Sequence, residues 1–373
     1  MKLSVHMMVL NGVSVIERAL RSLEGIADEV IFVDTGSNDG TPRLIREICS
    51  RMHMSCDGVR LSSTSNPELY FKDDDSTWSF HVPGPFTGRM VLRDWANARN
   101  QGLYLCHGDY ILKMDADDEC MTSENILQTL QFLDSRPDID FIMCPYETMC
   151  PKIASDDNCE LEIKTIQDRI WRNKPSIILF HHVMHERLIG KDCQQDENSN
   201  WLTAAAGLRF RDWRDSPGEG VRIAHRNFKV LLCEFERLER SGENLDNYDL
   251  YNLGCEAIAV DPNFALNVLL EATAAMPSNS DLSFDCCLKV GKAYHACGMP
   301  NIALASYCRA MELSPTSPSA FLSLGLLEHE MGLPKWKGTL VSALDAAKRT
   351  AYFNLSFSDL NKARKLLDEE TCR

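Results

Sequence analysis

Strand-like and helix-like segments alternate from the start of this chain, and that alternation limits the fold more than any other feature. LSVHMMVL (3–10) is a mostly apolar run of strand length, and VSVIERALRSLEGI (13–26) carries its apolar residues at helical spacing. EVIFVDTG (29–36) is a second strand, and DGTPRLIREICSRM (39–52) a second helix, with Pro42 in its first turn, where a missing N–H breaks no bond. Two strand–helix units within about fifty residues predict a parallel α/β sheet with right-handed crossovers. The pattern continues through a helix at DWANARNQGLYLC (94–106), a strand at GDYILKMD (108–115), a helix at SENILQTLQFLDSR (123–136) and a strand at IDFIMCPYET (139–148). Residues 53–90, which include NPELYFKDDDSTWSFHVPGPFTG, have no period and read as an inserted loop or hairpin at the sheet edge.

The rhythm changes near residue 236 to helices alone. LKVGKAYHACGMPNIALASYCRAMELSP (288–315) sets Gly291, Tyr294, Ala303, Tyr307, Ala310 and Pro315 at the offsets of a tetratricopeptide repeat. Small residues there permit a close helix crossing, aromatics fill the gap, and proline ends the second helix. Gly325 follows Gly291 by 34 residues, and Leu253, Gly254, Ala265, Ala272 and Pro277 echo the pattern upstream. After Gly325 the pattern decays, as a terminal cap would. A length of 373 residues suits two domains, expected at 1–235 and 236–373.

Bulk properties narrow the function. A formal net charge of −15 disfavours non-specific binding to nucleic acid or anionic membranes. No run of eighteen apolar residues appears, so no membrane span is expected, and MKLSVHMMVLNG reads as a first strand rather than a signal peptide. The 15 cysteines include no CxxC pair and are expected to be reduced, mostly buried thiols of a cytoplasmic protein.

Two of the strands end in acid: VDTGSNDGT (33–41) and MDADDE (114–119). Ligands of open α/β sheets bind at the carboxyl ends of strands. Asp115 and Asp117 offer hard oxygen donors to a divalent cation, which in turn would hold a diphosphate. Asp34 suits hydrogen bonds from a base or ribose. Its turn of Thr35, Gly36, Ser37 and Gly40 opens a helix, where phosphate is favoured. No GxxxxGK[ST] loop is present.

VDTGSNDGT, DWANARNQGL and GDYILKMDADDE, in that order and spacing, resemble the family 2 glycosyltransferases of GT-A fold, and most of all those followed by tetratricopeptide-like helices. The resemblance implies a Rossmann-like, mostly parallel α/β sheet flanked by helices, followed by an all-α helical domain. It implies a nucleotide-sugar donor, expected to be a UDP-sugar, a Mn²⁺ or Mg²⁺ cofactor and an inverting transfer. By the same resemblance Asp34 and Asn11 would line the nucleobase pocket, Arg99 and Asn100 would sit near the nucleotide-sugar, Asp115 would contact sugar or ribose, and Asp117 would ligate the metal. The chain reads DADD where relatives often read DADE, which leaves Asp118 a supporting role. RIWRNKPSIILFHHVMHERL (169–188) matches a segment ending in Val-His-Glu, here Met184-His185-Glu186, and VRIAHRNFK (221–229) supplies a family histidine, His225. Glu186 is the candidate base and His225 the candidate metal ligand, with His185 able to exchange roles with either.

Other readings stay open at this stage. His181 and His185 would stack on a helix but not on a strand, and no HExxH accompanies them, which disfavours zinc. The acceptor is expected to be a protein, peptide or glycan, with a protein partner also able to dock on the helical repeats. A hydroxymethylated DNA base is an alternative acceptor; it would need a basic stripe from Arg169, Arg172, Lys174, Arg187, Arg222, Arg226 and Lys229. A non-catalytic scaffold and a nucleotidyltransferase are further rivals; the first ill fits the intact aspartates, and the second lacks its glycine-rich phosphate loop.

Overall fold

The computed structural model describes residues 1–73, 89–151, 159–174, 178–190, 201–203, 207–213, 219–276, 281–349 and 355–371. They fall into two compact units, the first within residues 1–217 and the second from 218 on, with 161–164 counted in the second. The expected boundary at 235 lies inside one continuous helix, Glu219–Ser241.

The first unit is a mixed sheet. Its strands are β1 (Leu3–Val9), β2 (Glu29–Asp34), β3 (Ser55–Arg60), β6 (Tyr110–Asp115), β7 (Asp118–Cys120), β8 (Phe141–Pro151), β9 (Cys159–Arg172) and β13 (Phe210–Trp213), in the order β3-β2-β1-β6-β9-β8-β13-β7. β3, β2, β1 and β6 run parallel, whereas β9 joins β6 antiparallel and β7 joins β13 antiparallel. Every residue of β1 is buried, as a strand covered on both faces requires. Its helices are α1 (Ile16–Arg21), α2 (Thr41–Arg51), α3 (Trp95–Leu103) and α4 (Ile126–Ser135). Helix α1 is shorter than the periodicity predicts: turns occupy the residues on either side, and Gly25 at φ 76° completes the exit.

The 53–90 segment holds β3, unforeseen because SCDGVR neither alternates nor is strongly apolar, and the antiparallel pair β4 (Tyr70–Lys72) and β5 (Met90–Leu92). The tip between them lies outside the described residues. Short strands β10 (Ile178–His181), β11 (Arg187–Gly190) and β12 (Trp201–Thr203) complete the unit.

The second unit is helical: α5 (Glu219–Ser241), α6 (Asn247–Ala257), α7 (Pro262–Ala275), α8 (Asp281–Ala296), α9 (Pro300–Leu313), α10 (Pro318–Glu330), α11 (Trp336–Arg349) and α12 (Phe357–Thr371). α6–α7, α8–α9 and α10–α11 form helical pairs. In each, a glycine of the first helix lies against a large residue of the second: Gly254 on Leu269, Gly291 on Tyr307 and Gly325 on Leu340, where an added Cβ would meet side-chain carbon at 2.6, 2.4 and 2.6 Å. The pair after Gly325 thus keeps the repeat's packing although its sequence signature fades. The described cysteines are free thiols. Among the described residues, no helix is long and apolar enough to cross a membrane.

Candidate active site

Strand β1 lies between β2 and β6, with Val9 beside Asp34 and Met8 beside Asp115. The two acidic strand ends therefore flank β1, two strand spacings or about 10 Å apart.

Asp34 closes β2 and is fully buried. Its Oδ1 accepts the N–H groups of Ser37 (2.8 Å) and Gly36 (3.3 Å), folding the following turn around the carboxylate. Gly36 has φ 113°, which only glycine adopts readily. Asp34 Oδ2 makes no hydrogen bond among the described residues; the Arg60 Nε lies 3.6 Å away. Arg60 was not foreseen from sequence. Its signal is positional, at the end of β3 in register with Asp34. Asn11, at φ 50° after β1, donates its N–H to Ser37 Oγ and accepts the Asn38 N–H at Oδ1, both at 2.9 Å, so it ties the two turns together.

On the other side of β1, Arg99 projects from α3 and is 3% exposed. It pairs with Asp115 at 2.7 Å and with Glu186, and its carbonyl accepts the His6 Nε2–H at 2.9 Å. Burial opposes charge on Asp115, but the guanidinium groups of Arg99 and then Arg169 outweigh it and hold the carboxyl at about 2. Burial likewise opposes charge on Glu186, and Arg99 with Lys113 still holds it below the usual carboxylate range. Arg99 Nη1 is buried and makes no hydrogen bond among the described residues, so one donor of the group is left for a ligand.

Asn100 does something else. Its Nδ2 donates to the Phe180 carbonyl and its Oδ1 accepts the Phe180 N–H, both at 2.9 Å. Both ends of the amide are spent on the backbone of β10, so its observed task is to hold that strand against α3. The Trp95 N–H adds a bond to the Val183 carbonyl at 2.9 Å. β10 and β11 pair antiparallel, which makes 178–190 a hairpin and places His185 and Glu186 at its tip. His182 and His185 take φ of 73° and 56° there, so His181 and His185 do not stack on a helix.

Asp117 sits in the turn between β6 and β7. Burial, and then the charges of Asp212, Asp118 and Asp115, push its carboxyl well above the usual range. The cations of this region are engaged elsewhere: Arg99 by Asp115 and Glu186, and Arg169 by Asp118. Asp212 enters because β13 pairs antiparallel with β7, setting it opposite Asp118. Nothing in the local sequence announces a partner so far along the chain. Asp118 is wholly buried and accepts from Tyr146 Oη and the Asp115 N–H, both at 2.8 Å. His225 lies on α5, in the second unit.

The basic stripe expected for a DNA acceptor is not formed by its first members. Arg169 is fully buried, Arg172 donates to the carbonyls of Ile139 and Arg136 at 3.1 Å, and Lys174 pairs with Asp140 at 2.9 Å. These charges fasten the sheet. Arg222, Arg226 and Lys229 lie on α5, and the Arg187 side chain is outside the described residues.

Residues 4–68 and 91–183 match the model of the family described as Glycosyl transferase family 2. The match lies within the first unit and covers less than half of the chain; tetratricopeptide-like helices follow it. A TPR repeat-containing protein of Synechococcus elongatus is 25% identical over 207 residues, which are 55% of this chain and 40% of that protein, so the chain spans less than half of the relative's length. Among solved structures, S. aureus TarS 1–349 in complex with UDP-GlcNAc aligns over 89% of this chain and 93% of its own, at 13% identity and a TM-score of 0.39. PcrH from Pseudomonas aeruginosa aligns over 34% of this chain and 91% of its own, at 16% identity and a TM-score of 0.30.

Proposed function

We propose that the chain transfers a sugar from a UDP-sugar to an acceptor hydroxyl or amine, with a divalent cation and with inversion at the anomeric carbon. The observation that carries this reading is the pair of acidic strand ends about β1. Asp34 has one oxygen without a hydrogen bond beside the Arg60 guanidinium. Uracil presents an N–H flanked by carbonyls, which suits a carboxylate acceptor next to a cationic donor. Asn11 belongs to the same turn pair.

The Asp115–Asp117 turn supports a site for the leaving diphosphate. Burial and then the carboxylates of Asp212, Asp118 and Asp115 push the Asp117 carboxyl above its usual range, and hard oxygen donors of this kind fit Mn²⁺ or Mg²⁺. When bound, such an ion neutralises charge building on the diphosphate.

In the transfer, an acceptor oxygen or nitrogen forms a bond to the anomeric carbon while the bond from that carbon to the diphosphate oxygen breaks. UDP leaves with the electron pair, and the acceptor proton passes to Glu186, with His185 next to it as the alternative. Glu186 is ionised, as a base must be, yet its pairing with Arg99 lowers its basicity. Arg99 drawn toward an incoming phosphate or sugar oxygen by its remaining donor returns that basicity. Asp115 and Arg99 then face the donor, while Asn100 holds the hairpin that presents the base. A protein, peptide or glycan acceptor is the reading we adopt, with the helical unit as a dock for a protein partner.

Incubation with a panel of UDP-sugars and Mn²⁺ tests this through UDP release. At least one sugar is expected to yield UDP. Glu186→Gln is expected to lower turnover by about 10²–10⁴-fold while UDP affinity is kept. No release from any UDP-sugar, with acceptor extracts present, would overturn the donor assignment.

A further inference from the structure

We infer that Asp118, Tyr146 and Arg169 form a buried brace that holds the Asp115–Asp117 turn in the shape that receives the diphosphate, so that Tyr146 and Arg169 are positioning residues for the donor site. The inference rests on the proposed donor site and adds residues that the family motif does not assign.

The brace starts from a buried carboxylate whose two oxygens are both engaged by the protein. Asp118 is wholly buried, with Oδ1 accepting from Tyr146 Oη and Oδ2 accepting from both the Asp115 N–H and Arg169 Nη1. The bond to the Asp115 N–H runs back across the turn, so the side chain at one end fixes the backbone at the other. Asp115 and Asp117 gain defined directions from it, although Asp118 itself stays inside.

Arg169 spans the same turn from below. It is fully buried, and its Nη1 donates to the Lys113 carbonyl at 3.1 Å as well as to Asp118, while Nη2 donates to Gln167 Oε1 at 2.6 Å. Lys113 precedes the turn on β6, and Asp118 ends it. One guanidinium therefore clamps both legs. Its Cζ lies 4.4 Å from the Tyr146 ring centroid and 5.4 Å from that of Phe210, so the aromatic faces help to fix its orientation. Lysine keeps the charge but offers no planar fork to lie between the two rings while it also reaches Gln167.

The division of labour also follows from the pairing: Arg169 takes as its partner Asp118, the acid that stays inside, and holds the turn through it. The fourth acid of DADD being aspartate fits the brace: a longer glutamate would carry its carboxylate past the three donors.

The test compares Tyr146→Phe, Arg169→Lys and Asp118→Glu with the wild-type full chain, by calorimetric titration of UDP with Mn²⁺ and of UMP without metal. UMP reads the Asp34 side, which the brace does not touch. Tyr146→Phe removes one hydrogen bond and is expected to weaken Mn²⁺-dependent UDP binding about 3–10-fold, with UMP affinity kept and the chain still folded, at a lowered thermal transition. Arg169→Lys and Asp118→Glu are expected to weaken it further, again with UMP affinity kept. Should Arg169→Lys fail to fold, Tyr146→Phe decides. Wild-type UDP affinity in a folded Tyr146→Phe would overturn the brace while leaving the donor site standing. Equal loss of UMP and UDP affinity would also overturn it, since the defect would then be general. A wild-type chain that binds UMP and UDP without any response to Mn²⁺ would overturn the cation-receiving turn, and the brace with it.

Discussion

At the residue scale, the site is governed by charges that have been taken out of water and paired. His6 shows what this costs. Burial, then the charge of Arg99, lowers its pKa to about 3, so the ring is neutral in the folded chain and protonates near 6.5 when unfolded. The unfolded state therefore binds more protons between those values. The His6 contribution is complete above about 6.5 and is lost as pH falls toward 3. His6→Gln, which keeps a donor for the Arg99 carbonyl, is expected to flatten the fall in melting temperature between pH 7 and 4, as followed by circular dichroism. Asp34 and Asp115 were legible because each closes a strand, and Asp117 because it follows Asp115 in the same short acidic motif. Arg60, Asp212 and the buried role of Arg169 were not, because their partners come from other strands: Arg169 meets Asp118 across 51 positions of sequence.

At the element scale, hairpin β10–β11 carries the candidate base, and Asn100 is what holds it. The amide both gives to and takes from the Phe180 backbone. Asn100→Asp keeps the size and removes the donor, setting a carboxylate against the Phe180 carbonyl. The expected result is a loss of about 1–3 kcal/mol in stability, read from urea denaturation, and a fall in turnover larger than any change in UDP affinity. The first-half helices and the long apolar strands were readable from periodicity, since β1 and β2 are covered on both faces and α2 keeps one buried stripe. The edge strand β3 escaped because an edge needs little apolar content, and Gly58 within it lies against Phe32 rather than adding a side chain. Residues 178–190 carried both a helix spacing and a strand composition, and only tertiary bonds from α3 decide for the hairpin.

At the scale of the whole molecule, an acidic chain of net charge −15 joins an α/β unit that matches the family 2 glycosyltransferase model to a helical repeat unit. The helical unit depends on close approach at its glycines. Gly291→Leu would drive a side chain into Tyr307 and is expected to cost about 1–3 kcal/mol or more, seen as a lower helical melting transition. The glycine and alanine spacing made this unit visible in sequence where small, aromatic and proline positions recur together, as in α8–α9. The fading signature after Gly325 hid the α10–α11 pair because packing on Leu340 needs only one of those residues. The central claim for the molecule is that its acidic turn receives a nucleoside diphosphate with a cation. Calorimetric titration of UDP into wild-type and Asp117→Ala protein, with and without Mn²⁺, tests it most directly. The account predicts tight binding only for wild type with Mn²⁺, and loss of about tenfold or more in the variant, equal to about 1.4 kcal/mol. Equal UDP affinity in both proteins, unmoved by Mn²⁺, would contradict it.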